Sequence, residues 1–198
     1  MSQTTKGEGS GPLPVFYNML KQTTQSTLVV STAEAKAHMH VDHDEDDTEI
    51  AAYNRAAQSA IEERTRRSFA GAVFVETATT RTTVLSRTPV DSVDTVKINT
   101  TAGEAIDTTL TVGDDYRLDL TTGEALLVLD ASVDFAEVEI TWTAGSTDDL
   151  NMKNLLRHAV LMLLATWYEG RETIVVGTIA APLPLGVDAI CGMYASTN

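Results

Sequence analysis

The stretch from Asp148 to Glu172, DDLNMKNLLRHAVLMLLATWYEGRE, constrains the fold more than any other part of the chain. It contains no Gly or Pro between Leu150 and Tyr168, and the two aspartates at its start are suitable caps for a helix N-terminus. Gly170 is a suitable stop. We predict a helix whose second half is apolar on nearly every side, so its own domain or another subunit must cover it.

The same stretch does not predict a membrane span. Its uninterrupted apolar run, Ala159 to Ala165, is far shorter than the roughly 20 residues that a bilayer requires. The first residues lack the apolar segment of a signal peptide. The single cysteine, Cys191, excludes an internal disulfide and is typical of a reducing cytosol. We therefore expect a soluble core helix.

The charge of the chain limits its partners. The chain has 198 residues, which suggests one domain with or without an insertion, and its formal net charge is -14. Binding to nucleic acid needs clustered Lys and Arg to neutralise phosphates, so this charge argues against a DNA-gripping surface. It favours solubility, or a surface that DNA passes without being held.

Two helices are predicted after an N-terminal arm. Ser31 or Thr32 is a suitable cap for a short helix, and the acidic run that follows begins a longer one. In the longer helix an apolar stripe is predicted to face the core: Ile50, Tyr53, Ala57 and Ile61. Polar side chains are predicted to face away: Arg55, Gln58, Ser59, Glu62 and Glu63. Arg64 continues the stripe, so we expect it to snorkel or to pair with an acid.

From residue 72 the hydrophobic period changes from 3.6 to two. Val138, Ile140 and Trp142 alternate with polar residues, and residues 116–129 read as a hairpin with a turn at 121–123. The predicted fold is α+β, a small helical core with an inserted antiparallel β-sheet and extended N- and C-terminal arms. The predicted divisions are 1–27 for the N-terminal arm, 28–71 for the first helices, 72–146 for the inserted β-rich region, 147–177 for the core helix with its following segment, and 178–198 for a C-terminal docking arm.

One histidine-rich and acidic segment, His38 to Asp47, is the best metal-site candidate. Two residues apart on one helix, His38 and His40 diverge by about 200° and cannot both face one ion. The residues from Asp42 onward do not match a calcium-binding loop either, because they lack the glycine and the final glutamate of that motif. A helix start on a solvated face explains it better, and a metal-dependent enzyme remains the distant alternative.

Catalytic motifs are absent from the sequence. The P-loop, the Gly-x-Ser-x-Gly elbow and the His-Glu-x-x-His pattern do not occur. Glu169 and Glu172 flank Arg171, which indicates ion pairing at a helix end and not a catalytic acid and base. We predict that the chain is not an enzyme and that it uses no cofactor and no metal.

The order of several segments resembles the head–tail connector (adaptor) proteins of long-tailed bacteriophages. Members often carry an apolar helix that ends in a Trp-Tyr-Glu-Asn-Arg-Glu-like string, followed by a Leu-Pro-Leu-Gly-Val-Asp-like segment. Here the string is Trp167 to Glu172, with Gly170 where Asn is common, and the segment lies at Pro184 to Ile190. The short helix, acidic cap and longer helix near the N-terminus are similar too. The resemblance covers most of residues 28–194, with a divergent middle.

This resemblance implies a structural virion protein in the neck between capsid and tail, assembled in the host cytoplasm. It implies a ring of identical subunits, a dodecamer beneath the portal protein, that extends the DNA channel and receives a stopper or tail-terminator protein. Genomic DNA passes without sequence-specific binding, and no membrane is involved. A related tail-completion or tail-terminator role is the nearest alternative. The expected interface residues are Leu161, Leu164, Trp167, Tyr168, Glu169, Arg171, Glu172, Leu183, Pro184, Leu185, Gly186, Val187, Asp188, Ile190 and Tyr194.

Overall fold

A computed structural model describes residues 19–24, 26–120, 125–145, 150–170 and 184–195. Four helices are present in these residues: α1 (Thr32–Met39), α2 (Asp47–Thr65), α3 (Leu150–Glu169) and α4 (Leu185–Tyr194). Eight strands accompany them: β1 (Met19–Gln22), β2 (Ala72–Ala78), β3 (Thr82–Val84), β4 (Val90–Asn99), β5 (Thr108–Thr109), β6 (Tyr116–Asp119), β7 (Leu126–Leu129) and β8 (Glu137–Ala144). The predicted α+β class is confirmed.

The helices form the first of two hydrophobic cores. Side chains of α2 and α3 meet in it, and α1 and α4 pack on that pair. Ile50 and Ile61 of the predicted stripe are fully buried, while Tyr53 is half-buried at its edge. No helix in the described part of the chain is long and apolar enough to cross a membrane.

The predicted helix ends are largely confirmed. The Ser31 side chain accepts a hydrogen bond from the Glu34 backbone N–H at 3.2 Å and so caps α1. The core helix α3 ends at Glu169, one residue before Gly170. Its two predicted capping aspartates, at 148 and 149, lie outside the described residues.

The β region forms a second core between two antiparallel sheets. One sheet has five strands in the order β1-β2-β8-β4-β5, and the other has three in the order β3-β7-β6. Burial alternates strictly along β2 and β8, as the period of two predicted. Trp142 stacks on Phe74 inside this core, with 5.7 Å between ring centroids. The predicted hairpin pairs β6 with β7, and its turn lies outside the described residues.

The polar face predicted for α2 is partly wrong. Gln58 is 2% exposed and Glu62 is 9% exposed, although both were expected to face solvent. The segment before α1 covers them: Gln58 Nε2 donates to the Thr27 carbonyl at 3.1 Å, and Ser26 Oγ donates to Glu62 at 3.2 Å. A chain segment distant in sequence from α2 thus buries these polar groups and supplies the partners that burial requires.

Both predicted arms contain regular structure. Residues 19–22 of the N-terminal arm form strand β1, which pairs with β2 at the edge of the larger sheet. The C-terminal arm was expected to be extended because of its prolines and Gly186. Residues 185–194 instead form α4, since Pro184 lies at its N-cap, where the missing N–H costs nothing. Residues 1–18, 178–183 and 196–198 lie outside the described residues.

Candidate assembly surface

The outermost element of the helical core is α4, which attaches to α2 and α3 by one apolar face. Val187 is fully buried and Cys191 is 1% exposed. Burial raises the pKa of the Cys191 thiol, so it behaves as a small apolar side chain. Gly186 lies so close to α3 that an added Cβ would meet Met162 Cε at 2.8 Å. A side chain at this position would have to displace the flexible end of Met162.

Two arginines fix the orientation of α4, one in the last turn of α2 and one two residues after that helix. Arg64 Nη2 contacts Asp188 Oδ1 at 3.0 Å, in the first turn of α4. Arg67 Nε donates to the Tyr194 carbonyl at 2.6 Å, in the last turn. Asp188 is therefore the acidic partner that was predicted for Arg64. An anion near the start of a helix and a cation near its end both suit the helix dipole.

The opposite face of α4 is apolar and exposed. Leu185 is 91% exposed and Met193 is 64% exposed, and Ala189 and Gly192 lie between them on the same side at helical spacing. Large apolar side chains exposed together in this way are typical of a contact with another protein. We call these four residues the α4 outer face.

The expected interface residues separate into three groups. Leu161, Leu164 and Val187 are buried in the helical core of the chain itself, so they are not available to a partner in this conformation. Half-buried or exposed are Trp167, Tyr168, Glu169, Pro184, Leu185, Gly186, Asp188, Ile190 and Tyr194. The remaining three, Arg171, Glu172 and Leu183, lie outside the described residues. The apolar second half of α3 is therefore covered mainly by its own domain.

The end of α3 combines aromatic packing with one polar contact. Trp167 is half-buried and packs against the helical core. Tyr168 donates its hydroxyl hydrogen to Asp46 Oδ2 at 2.6 Å, and Asp46 is the N-cap residue of α2. Both aromatic side chains keep an exposed edge, so packing and interface anchoring remain compatible for them.

The acidic segment proposed as a distant metal candidate is organised by a lysine. Lys36 Nζ contacts Asp44 Oδ1 at 2.5 Å and Asp47 Oδ1 at 2.7 Å. Hydrogen bonds with these carboxylates raise the pKa of Lys36, and the bond to Lys36 lowers the pKa of Asp44. The imidazole of His38 lies against His158 of α3, with 6.3 Å between ring centroids. Among the described residues no group of three or more His, Cys, Asp or Glu side chains is arranged to hold a metal ion.

Structural comparison finds chains with the same architecture. A chain in the neck of an empty gene transfer agent (GTA) particle, computed with C6 symmetry, has a TM-score of 0.69 and 23% identity. A chain in the neck of the native GTA particle, computed with C12 symmetry, has a TM-score of 0.65 and 24% identity. Each match covers 91% of this chain and 96% of the other. The chain shares the fold of GTA neck proteins.

A third match extends the likeness to sequence. A chain in the virion of the native GTA particle has a TM-score of 0.69 and 26% identity, with the same coverage of both chains. No protein-family model matches the sequence, and no curated protein matches it. The neighbours support the resemblance to phage neck and connector proteins, since they belong to phage-like particles and cover nearly the whole chain.

The sequence reading missed part of the α4 outer face. Ala189 and Gly192 were not among the expected interface residues, and Met193 was expected only as one of the apolar residues of the docking arm. Their spacing from Leu185, four, seven and eight residues, is the helical repeat of one face. The prolines of the preceding segment concealed this signal, because they favoured an extended arm over a helix.

Proposed function

We propose that the chain is a non-enzymatic head–tail adaptor, a virion neck protein that joins the DNA-filled capsid to the tail. One observation carries the proposal. Nearly the whole chain matches chains from GTA particles, two of them in structures of the neck itself. A match over 91% of this chain leaves no large part of it for a separate domain with another function.

In this proposal identical copies form a ring, a dodecamer, beneath the portal protein. Neck structures of the neighbours are computed with C12 and C6 symmetry, as suits twelve or six equivalent positions. A closed ring needs a heterologous interface, in which one patch of each copy binds a different patch of the next. The ring extends the DNA channel and offers its far side to a stopper or tail-terminator protein.

The charge of the chain suits a channel that DNA crosses. The β region, residues 72–145, holds thirteen acidic and four basic residues, so it carries most of the net charge. An acidic lumen repels phosphates and leaves the DNA free to slide. Sequence-specific contacts with DNA have no part in this role.

The portal contact is assigned to the α4 outer face. Leu185 and Met193 are large, apolar and exposed, and the contacts of Arg64 and Arg67 hold the helix that presents them. An amphipathic helix that lays its exposed apolar side in a groove of a partner is a recurring mode of protein recognition. The neighbouring Pro184, Ile190 and Tyr194 are placed to extend that contact.

The test is a pair of substitutions that leave the buried face of α4 intact. Leu185→Asp and Met193→Asp put a carboxylate on the outer face, while Val187 and Cys191 keep their packing. We expect both variants to fold normally and to lose co-sedimentation with portal-containing heads. Heads assembled with them would stay tailless and leak DNA.

A matched control is Val112→Asp, which changes a side chain of similar exposure in the β region, 62% exposed. It should co-sediment like the wild type. If the α4 variants bind heads as well as the control does, the portal contact is elsewhere. If the wild type binds tails and not portal-containing heads, the tail-terminator role replaces the adaptor role.

A further inference from the structure

An open groove of about 690 Å³ lies on the side of the helical core where the chain enters α1. The segment 26–32, which leads into α1, forms one wall, and Arg55 of α2 and Arg157 of α3 contribute the cationic part of the lining. Glu34 is the one carboxylate among its lining residues. Two cations against one anion make this groove net positive, in a chain with twice as many acidic as basic residues.

The wall of the groove is fixed by buried amides of α2. Gln58 accepts from the Val29 backbone N–H at 3.0 Å, and Asn54 Nδ2 donates to the Val30 carbonyl at 2.7 Å. Both amide side chains are buried. These two hydrogen bonds tie segment 26–30 to α2, and such preorganisation lowers the entropic cost of binding there.

The two arginines are not saturated within the described residues. Arg55 is exposed, and no described residue pairs with it. Arg157 pairs with Glu34, yet its Nε is enclosed and finds no acceptor among the described atoms. A guanidinium group carries five N–H donors in a planar fork that suits carboxylates. The groove thus presents unused donors and excess positive charge to an incoming acidic group.

We propose that this groove receives an acidic segment of a second copy of the chain and is one half of the subunit contact in the ring. The inference rests on the proposed function, because that function requires a heterologous contact between identical copies. The chain supplies the complement itself. Exposed carboxylates are abundant on it, among them Asp42 and Glu45 in the loop before α2 and most acids of the β region.

Nucleic acid is the less suitable occupant. A phosphate backbone needs a row of cations to replace its counterions, and this groove offers two arginines beside a carboxylate. A polypeptide with one or two carboxylates matches that charge. Interfacial charge pairs of this kind mainly set the register and the partner of a contact.

The experiment is sedimentation velocity of the full chain over a range of protein and NaCl concentrations. We expect the wild type to self-associate and to do so more weakly as salt rises, since salt screens charge pairs. Arg55→Gln should weaken association at least about tenfold, in line with measured interfacial charge pairs. The Arg55→Gln substitution leaves the Arg157–Glu34 pair intact, so the variant should unfold at the same temperature as the wild type. Arg157→Gln should act in the same direction.

The matched control is Arg117→Gln, which removes an exposed arginine of β6 outside the groove. It should associate like the wild type. Zero-length carboxyl–amine cross-linking of Arg55→Lys should then join position 55 to an acidic residue of another copy. A wild type that stays monomeric at every concentration overturns the inference, and so does unchanged association of Arg55→Gln.

A fluorescent single-stranded oligonucleotide that binds the wild type, and that Arg55→Gln no longer binds, would also overturn it in favour of nucleic acid. The α4 outer face does not line the groove, so the portal test and this test fail independently. Normal head binding by Arg55→Gln with unchanged association would remove the groove and leave the adaptor role. Lost association of Arg55→Gln, together with unaffected head binding by the α4 variants, would keep the groove contact and move the portal contact away from the α4 outer face.

Discussion

The Glu62 carboxylate accepts a hydrogen bond from the Phe69 backbone N–H, with 3.1 Å between Oε1 and the nitrogen. The two residues lie on either side of the C-terminus of α2, so this bond fixes the direction in which the chain leaves the helix for the β region. Ser26 and Gln58 donate to the same carboxylate. Burial raises the pKa of Glu62 all the same, because desolvation outweighs these hydrogen bonds.

The raised pKa predicts a pH dependence of stability. At pH values between the pKa of Glu62 in the unfolded chain, about 4.3, and its raised pKa in the folded chain, the folded state binds more protons than the unfolded state. The contribution of Glu62 to the free energy of unfolding therefore falls as the pH rises through this range. We predict that the free energy of unfolding of Glu62→Gln falls less steeply with pH in this range than that of the wild type. The variant therefore becomes more stable relative to the wild type as the pH rises. Urea unfolding at several pH values measures the difference.

The control for this series is Glu45→Gln, which removes an exposed carboxylate from the loop before α2. Its pH dependence should match that of the wild type. If Glu62→Gln also keeps the wild-type slope, then desolvation of Glu62 does not govern stability in this range. A loss of stability at every pH, equal in size, would mean that the hydrogen bonds of the carboxylate matter and its charge does not.

Local rules were sufficient for the elements whose partners are close in sequence. The cap at Ser31, the stripe through Ile50 and Ile61, and the alternation along β8 each follow from a repeat or a motif within one segment. The division into a helical part and a β part follows from the change of period near residue 72. These features need no knowledge of what packs where.

Contacts between distant segments were not predictable in the same way. Gln58 reads as a solvent-facing residue until segment 26–30 is placed over it. The helix α4 owes its position to Val187 and Cys191 in a groove of α2 and α3, and tertiary packing of this kind overrides the propensity of a Gly- and Pro-rich segment. For the same reason the groove at Arg55 and Arg157 was not foreseen, since it joins three separate segments.

A second prediction concerns Gly145, at the junction where β8 leaves the sheet. Its φ is +125°, and an added Cβ would lie 2.3 Å from the Ala70 carbonyl oxygen. The nearest atoms all belong to the Ala70 backbone, so no flexible side chain can move aside. We predict that Gly145→Ala lowers the unfolding free energy by at least about 2 kcal/mol, the scale of a strained backbone position. Thermal unfolding monitored by circular dichroism measures this.

Gly71 is the matched control, because it belongs to the same junction and an added Cβ there would meet nothing within 4 Å. Gly71→Ala should change stability by no more than about 0.5 kcal/mol, as surface substitutions usually do. A small effect at both glycines would show that the junction relaxes more easily than its packing implies.

The third prediction compares two side chains of α3. Leu164 is fully buried, so Leu164→Ala should cost about 2–5 kcal/mol of unfolding free energy. Substitution of a large aromatic residue in a core by Ala typically costs about 3–5 kcal/mol of unfolding free energy. Trp167 is only half-buried, so Trp167→Ala should cost less than that. Chemical denaturation of both variants gives the ranking.

The same variant also tests a second role for Trp167, because the exposed edge of its side chain suits an anchor between subunits. If it serves that role, the variant melts almost normally and ring assembly fails, as native mass spectrometry would show. A variant that melts and assembles like the wild type contradicts both roles of the indole. Leu164→Ala is the comparison, because any assembly defect in it must follow from lost stability.

The last prediction is that the β region can be removed without unfolding the helical core. The two hydrophobic clusters share no residue, and the contacts of Glu62 with Ser26, Gln58 and Phe69 all lie outside residues 72–144. Replacing residues 72–144 with a short Gly/Ser linker removes β2, the strand that pairs with β1. The side chains that pack α2, α3 and α4 against one another all remain. We expect the helical circular dichroism signal and cooperative unfolding to persist. Loss of both would show that the sheet is needed to fold the helices, and that the two clusters form one cooperative unit.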